Sequence, residues 1–135
     1  MDEDTNPTPI RGGFAQVRPY LYGNAAVVRF VILGLEGKIA ARYDTPIGAH
    51  LEIIVGDSYV IIESADDFPE HVETTCGSVY VYVADVDLVY SRAMALGLHS
   101  ISAPEDKPYD ERQCGVRDAF GNVWWISTYQ GASTT

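Results

Sequence analysis

The chain has 135 residues, of which 47% are hydrophobic and 21% charged, and its formal net charge is −10. That length suits one domain with one core, and the composition excludes a disordered or membrane-spanning chain. The negative charge repels nucleic-acid phosphates and anionic membranes, so neither partner is expected; it either favours a cationic or neutral ligand or only maintains solubility.

Met1 to Pro9 is acidic and polar and lacks the basic start and apolar stretch of a secretory signal, which predicts a cytoplasmic protein. The first dozen residues, through Gly12-Gly13, read as a flexible arm. Residues 17–22 alternate as a strand does, with Val17, Pro19 and Leu21 on one side and Arg18, Tyr20 and Tyr22 on the other. Pro19 has no N–H for a ladder, so this strand is expected to leave an edge locally free. A helix is predicted over 25–35, ending before Gly37. Strands follow at 39–43, 50–55 and 59–63, the last two joined at Gly56-Asp57-Ser58. Residues 65–77 are mostly polar, carry Pro69 and read as a linker.

The pattern then repeats. Tyr20, Tyr22 and Phe30 recur as Tyr80, Tyr82 and Tyr90, at a constant offset of 60 positions. Ser78, Tyr80 and Tyr82 alternate with Val79, Val81 and Val83, so the valines suit packing under a helix. Asp85 is placed to cap a helix over 86–96, and Gly97 to close it. Strands are predicted at 99–102, 113–117 and 123–129, with a turn at Asp118-Ala-Phe-Gly121-Asn122 before the last. Residues from Gly131 onward read as a frayed tail. Cys76 and Cys114 have no metal-type spacing and read as ordinary thiols of a reducing compartment. Walker-type loops, nucleophile elbows and nucleotide-binding glycine patterns do not occur in the sequence.

Each half is thus β-α-β-β-β, an α+β arrangement with module one at about 14–64 and module two at about 78–130. The paired modules resemble the vicinal oxygen chelate (glyoxalase/bleomycin-resistance/dioxygenase) superfamily. Pro19-Tyr-Leu-Tyr22, Gly56-Asp-Ser58, Tyr109-Asp-Glu-Arg112, Gly115-Val-Arg-Asp-Ala-Phe-Gly121 and Trp124-Trp-Ile-Ser127 look like its PhnB-like branch. The resemblance covers about residues 17–129. It implies a curved sheet around a cavity and a homodimer with shared or adjacent cavities.

In metal-dependent relatives, four inward strand positions carry His and Glu ligands. The resemblance carries those positions to Arg18, Ile62, Ser78 and Trp125, none a usual ligand, so neither metal nor other cofactor is expected. Glu63 restores a ligand only if the strand faces are the reverse of this assignment. The same parity puts Tyr20, Tyr22, Tyr80, Tyr82, Trp125 and Ser127 on the inward face. They form either the aromatic wall of a pocket or a core whose hydroxyls reach the surface. A three-residue hairpin loop at 56–58 would set Ile54 against Val60 and Glu52 against Ile62, turning His50 and Glu52 inward; a two-residue loop reverses this, leaving them on a solvated edge. Tyr109 and Arg112 lie on a loop read either as a lid over the cavity mouth or as solvated chain. His71 and His99 read as surface residues.

Two functions fit this pattern. One is sequestration of a small, aromatic or polycyclic antibiotic or metabolite. The other is a metal-independent isomerase or cyclase, with Glu52 or His50 as base, a tyrosine as acid, and Arg18 steadying negative charge.

Overall fold

The computed structural model describes residues 8–131; the first seven residues of the expected arm and the last four of the expected tail lie outside that range. Module one runs β1 (Tyr20–Gly23), α1 (Ala25–Arg29), β2 (Lys38–Asp44), β3 (Gly48–Val55) and β4 (Ser58–Ala65). Module two runs β5 (Ser78–Tyr82), α2 (Val86–Ala95), β6 (His99–Lys107), β7 (Glu111–Arg117) and β8 (Val123–Tyr129). Each module folds into a four-stranded sheet, in the order β1-β4-β3-β2 and β5-β8-β7-β6. In both, the first strand pairs parallel with the last and the other pairs are antiparallel. The paired β-α-β-β-β architecture is as expected, and β1 and β5 are edge strands.

Local chemistry explains the helices. The Asn24 side chain accepts from the Ala26 and Val27 N–H groups and starts α1. The predicted helix over 25–35 then changes character, because Phe30–Gly34 forms a π-helical turn in which Leu35 N–H reaches the Phe30 carbonyl. The Phe30 ring lies so close to Gly34 that a Cβ there would sit 2.7 Å from it. Asp85 caps α2 through the Leu88 N–H, and Gly97, at φ 89°, closes it, both as predicted.

The structure settles the open hairpin register and corrects the extent of one strand. The β3–β4 loop has two residues, Gly56-Asp57, so Ile54 opposes Tyr59 and Glu52 opposes Ile61. The predicted strand 99–102 extends to Lys107, with register shifts that accommodate Pro104 on an edge strand. The segment at 109–112, read either as a lid or as solvated chain, forms a tight turn with Asp110 at φ 63°, and Arg112 already belongs to β7.

Leu21, Leu51, Ile53 and Ile62 from the first sheet join Val116, Trp124 and Ile126 from the second in one core, with Phe30 and Val31 between them. Phe30 meets the Trp124 indole edge-on at 5.3 Å. Each such fully buried side chain contributes about 2 kcal/mol. Asn122, fully buried, clasps the modules: its Nδ2 donates to the Tyr22 carbonyl and its Oδ1 accepts from Gly77 N–H. Among the described residues, no helix is long and apolar enough to cross a membrane.

Candidate functional site: two tyrosine faces

The faces turned away from the shared core are built in register. On module one, Tyr22, Glu63, His50 and Tyr43 fall in one cross-strand row, and Tyr20, Ile61, Glu52 and Ala41 in the next. On module two the matching rows are Tyr82, Ser127, Gln113 and Glu105, then Tyr80, Trp125, Gly115 and Ser102. Neighbours in a row project to the same side, which brings side chains distant in sequence together.

Module one carries charge. His50 Nδ1 is bonded to the Glu63 carboxylate, and its Nε2 lies 3.0 Å from Glu52 Oε2. Tyr20 donates to Glu63 Oε2 at 2.8 Å. The bond to Glu63 raises the His50 pKa, with Glu52 adding to it and burial opposing. Burial, then Glu63, holds the Tyr20 hydroxyl well above its ordinary range. Arg18 Nη1 donates to Glu52 Oε1 at 2.8 Å, while its Nε and Nη2 donate to the Ala15 and Phe14 carbonyls. Its guanidinium also stacks 3.7 Å from the Tyr59 ring centroid. Arg11 donates to the Tyr43 hydroxyl and lies 3.5 Å from Glu52. The segment from Arg11 to Arg18, which takes in the end of the expected arm, is thereby fastened across this face.

Module two carries hydroxyls. Tyr80 and Tyr82 both donate to the Glu111 carboxylate, Tyr82 at 2.5 Å. Ser127 donates to the Tyr80 hydroxyl, Gln113 to Ser127, and Tyr109 to Gln113. These phenol bonds lower the Glu111 pKa, and Glu111 in turn lifts Tyr82 to about 12. Trp125 lies flat over Gly115, where a Cβ would come within 2.5 Å of the indole.

The sequence-predicted residues thus divide. Tyr20, Tyr22, His50, Glu52 and Arg18 lie on module one's face, and Tyr80, Tyr82, Tyr109 and Trp125 on module two's. Arg112 points the other way, bonded to Asp87 on α2 and to Asp106. His50 and Glu52 share the tyrosine face despite the two-residue loop, because the inward residue of β4 is Glu63. Ile62 is fully buried in the core, which corrects its assignment as a ligand position. Glu111 and Gln113 join the site without being among the residues that the sequence predicts for it. Their alternation with buried Cys114 and Val116 was the available signal.

Of the four positions that the resemblance carries to metal ligands, Arg18, Ser78 and Trp125 stand as assigned, and Glu63 takes the place of the buried Ile62 on the tyrosine face. A guanidinium cannot coordinate a cation, and the one carboxylate is held by His50 and Tyr20, so these residues do not fit a metal centre. Between the modules runs a separate groove of about 740 Å³, walled by Val17, Leu35, Val79, Val81 and Leu88. It reaches Tyr80 and Tyr82 along the β5 edge but takes in neither Tyr20, Tyr22 nor Trp125.

No family model matches the chain, and no curated protein matches its sequence. Solved structures do match. TioX from Micromonospora sp. ML1 is 23% identical, with a TM-score of 0.64 over 84% of this chain and 98% of that one. TnmS3, an antibiotic binding protein from Streptomyces sp. CB03234, is 18% identical, with a TM-score of 0.64 over 86% and 97%. A glyoxalase/bleomycin resistance protein/dioxygenase family enzyme from Burkholderia phytofirmans PsJN is 19% identical, with a TM-score of 0.61 over 83% and 94%. The chain therefore has the glyoxalase-like fold shared by the glyoxalase/bleomycin-resistance/dioxygenase proteins.

Proposed function

We propose that the protein binds a small aromatic or polycyclic organic molecule against its tyrosine faces, without a metal ion, and so sequesters an antibiotic or metabolite in the cytoplasm. One observation carries this reading. Tyr20, Tyr80 and Tyr82 stand about half exposed on faces opposite the core, with their hydroxyls already bonded to carboxylates. Their rings are left for stacking, and a flat ligand needs little else. TnmS3, an antibiotic binding protein of the same fold, supports this use of it. The motifs from Pro19-Tyr-Leu-Tyr22 to Trp124-Trp-Ile-Ser127 support a place in the PhnB-like branch.

The functional unit in this reading is a homodimer. Each tyrosine face ends at an unpaired edge strand, β1 or β5, and each is an open wall rather than an enclosed cavity. Setting module one of one copy against module two of another joins Tyr20, His50 and Glu63 to Tyr80, Tyr82 and Trp125 around one cavity.

Titration with the neutral polycyclic dye Nile red tests the reading. Trp125→Ala is expected to weaken binding by roughly 1–3 kcal/mol, because most of the interaction is aromatic area. Loss of binding in Leu88→Ser, with Trp125→Ala unaffected, would place the dye in the valine groove and refute it.

A second reading has its own support. His50 is oriented by Glu63 and bonded to Glu52, as an acid–base catalyst would be. If the protein is an isomerase or cyclase, His50→Ala or Glu52→Gln lowers turnover roughly a hundredfold and leaves affinity nearly intact.

A further inference from the structure

The two tyrosine pairs occupy equivalent places but stand over different charges. Beneath Tyr20 and Tyr22, the carboxylates of Glu52 and Glu63 face Arg18, Arg11 and His50, so their charge is matched on the spot. Beneath Tyr80 and Tyr82 lies Glu111, only 6% exposed. Among the described residues it has no ion pair: Arg112 is turned to Asp87 and Asp106, and Lys107, its cross-strand neighbour, is bonded to Glu105. Its two oxygens are held by the two phenols instead.

A phenol that donates to a carboxylate gains electron density in its ring, and the carboxylate adds its own field beneath. Both effects strengthen attraction of a cation to the ring face. Tyr80 is 48% exposed and Tyr82 61%, their centroids 5.5 Å apart and their planes inclined at 63°, so they form a two-walled corner. Tyr109, half exposed, stands nearby and reaches the same network through Gln113. Taking a group from water into this corner favours one that supplies the missing positive charge. A quaternary or tertiary ammonium does so with the weakly hydrated surface that aromatic walls accept.

We propose that the Tyr80–Tyr82 corner of module two, backed by Glu111, is a subsite for an organic cation, and that the molecule bound by this protein carries an alkylated ammonium at that end. The proposal rests on the small-molecule reading above and deepens it. Tyr80 and Tyr82 make the contact; Glu111 acts through them as a positioning and charging residue.

The test compares phenyltrimethylammonium with its neutral isostere, tert-butylbenzene, by titration while following the tyrosine ring resonances. The cation is expected to bind roughly tenfold more tightly than the isostere, to shift the Tyr80 and Tyr82 signals, and to lose that advantage at high salt. Glu111→Gln should remove most of the preference and leave the isostere's affinity unchanged. Glu73→Gln, which deletes the same charge from the exposed linker, should change neither. Should Glu111→Gln fail to fold, Tyr82→Leu on the exposed edge strand should abolish the preference instead. Equal binding of the two probes, with Nile red binding still dependent on Trp125, would overturn the cation subsite and leave the general reading standing. Binding of neither probe would overturn the subsite, while loss of Trp125-dependent Nile red binding as well would overturn both.

Discussion

His50 and Glu63 face each other across the β3–β4 pair, and Nδ1 of the imidazole is bonded to the Glu63 carboxylate. The pairing raises the histidine pKa above its ordinary value. A group whose folded pKa is raised contributes stability below its unfolded pKa and loses it as pH climbs through the folded value. The wild type should therefore exceed His50→Gln in stability most clearly below about pH 6.5, the ordinary histidine value. The difference should shrink as pH rises through the folded pKa. Urea unfolding across that range checks it; a gap that widens with pH would contradict the assignment.

Arg18 should matter more for stability than an exposed arginine does. Its side chain is about 10% exposed, paired with Glu52, stacked on Tyr59 and bonded to the Arg11, Phe14 and Ala15 carbonyls. Arg18→Ala leaves the buried Glu52 with only Arg11 and His50 as partners among the described residues and frees the arm, at a cost of about 3 kcal/mol. Arg18→Lys should recover less than half of that, because an ammonium has no planar fork to stack and share. Near-neutral unfolding energetics for Arg18→Ala would show that the arm clasp carries no weight.

The turn before β8 should be the weak point of the module junction. Asp118 Oδ1 accepts from the N–H groups of Phe120, Gly121 and Asn122, and Oδ2 accepts from the Trp124 indole at 2.9 Å. Asp118→Ala leaves several buried donors unmet, and about 3 kcal/mol of stability should go with them. Near-ultraviolet circular dichroism should show loss of the Trp124 environment. A spectrum and melting temperature like those of the wild type would contradict the account.

Much of this was legible in the sequence. The 60-residue offset of Tyr20-x-Tyr22 and Tyr80-x-Tyr82 located both edge strands, and alternation put the tyrosines opposite Val79 and Val81. Asp85, Gly97 and Asp118 announced their caps and turn. What failed was register. Gly56-Asp57-Ser58 fits a two- or three-residue loop, and a single step exchanges the faces of Ile62 and Glu63. Pro104 hid the second half of β6, because proline is a poor strand residue except on an edge. With β6 cut short, Glu111 and Gln113 fell at the margin of a loop, and the carboxylate beneath Tyr80 and Tyr82 went unassigned. The hydrogen bonds of that network join residues about thirty positions apart, a separation that local pattern cannot bridge.

The most direct test of a cavity shared between two copies is complementation between variants that each damage one wall. Tyr20→Ala with His50→Ala removes the module-one wall, and Trp125→Ala removes the module-two wall, so neither protein alone should bind Nile red well. Unfolded together and refolded, they form mixed dimers in which one cavity joins the two intact walls. Binding should return to about one quarter of the wild-type site number, the share expected when half the dimers are mixed and each restores one of two sites. If the mixture binds no more dye than the separately refolded variants, the cavity does not combine two chains, and the shared-cavity account is wrong.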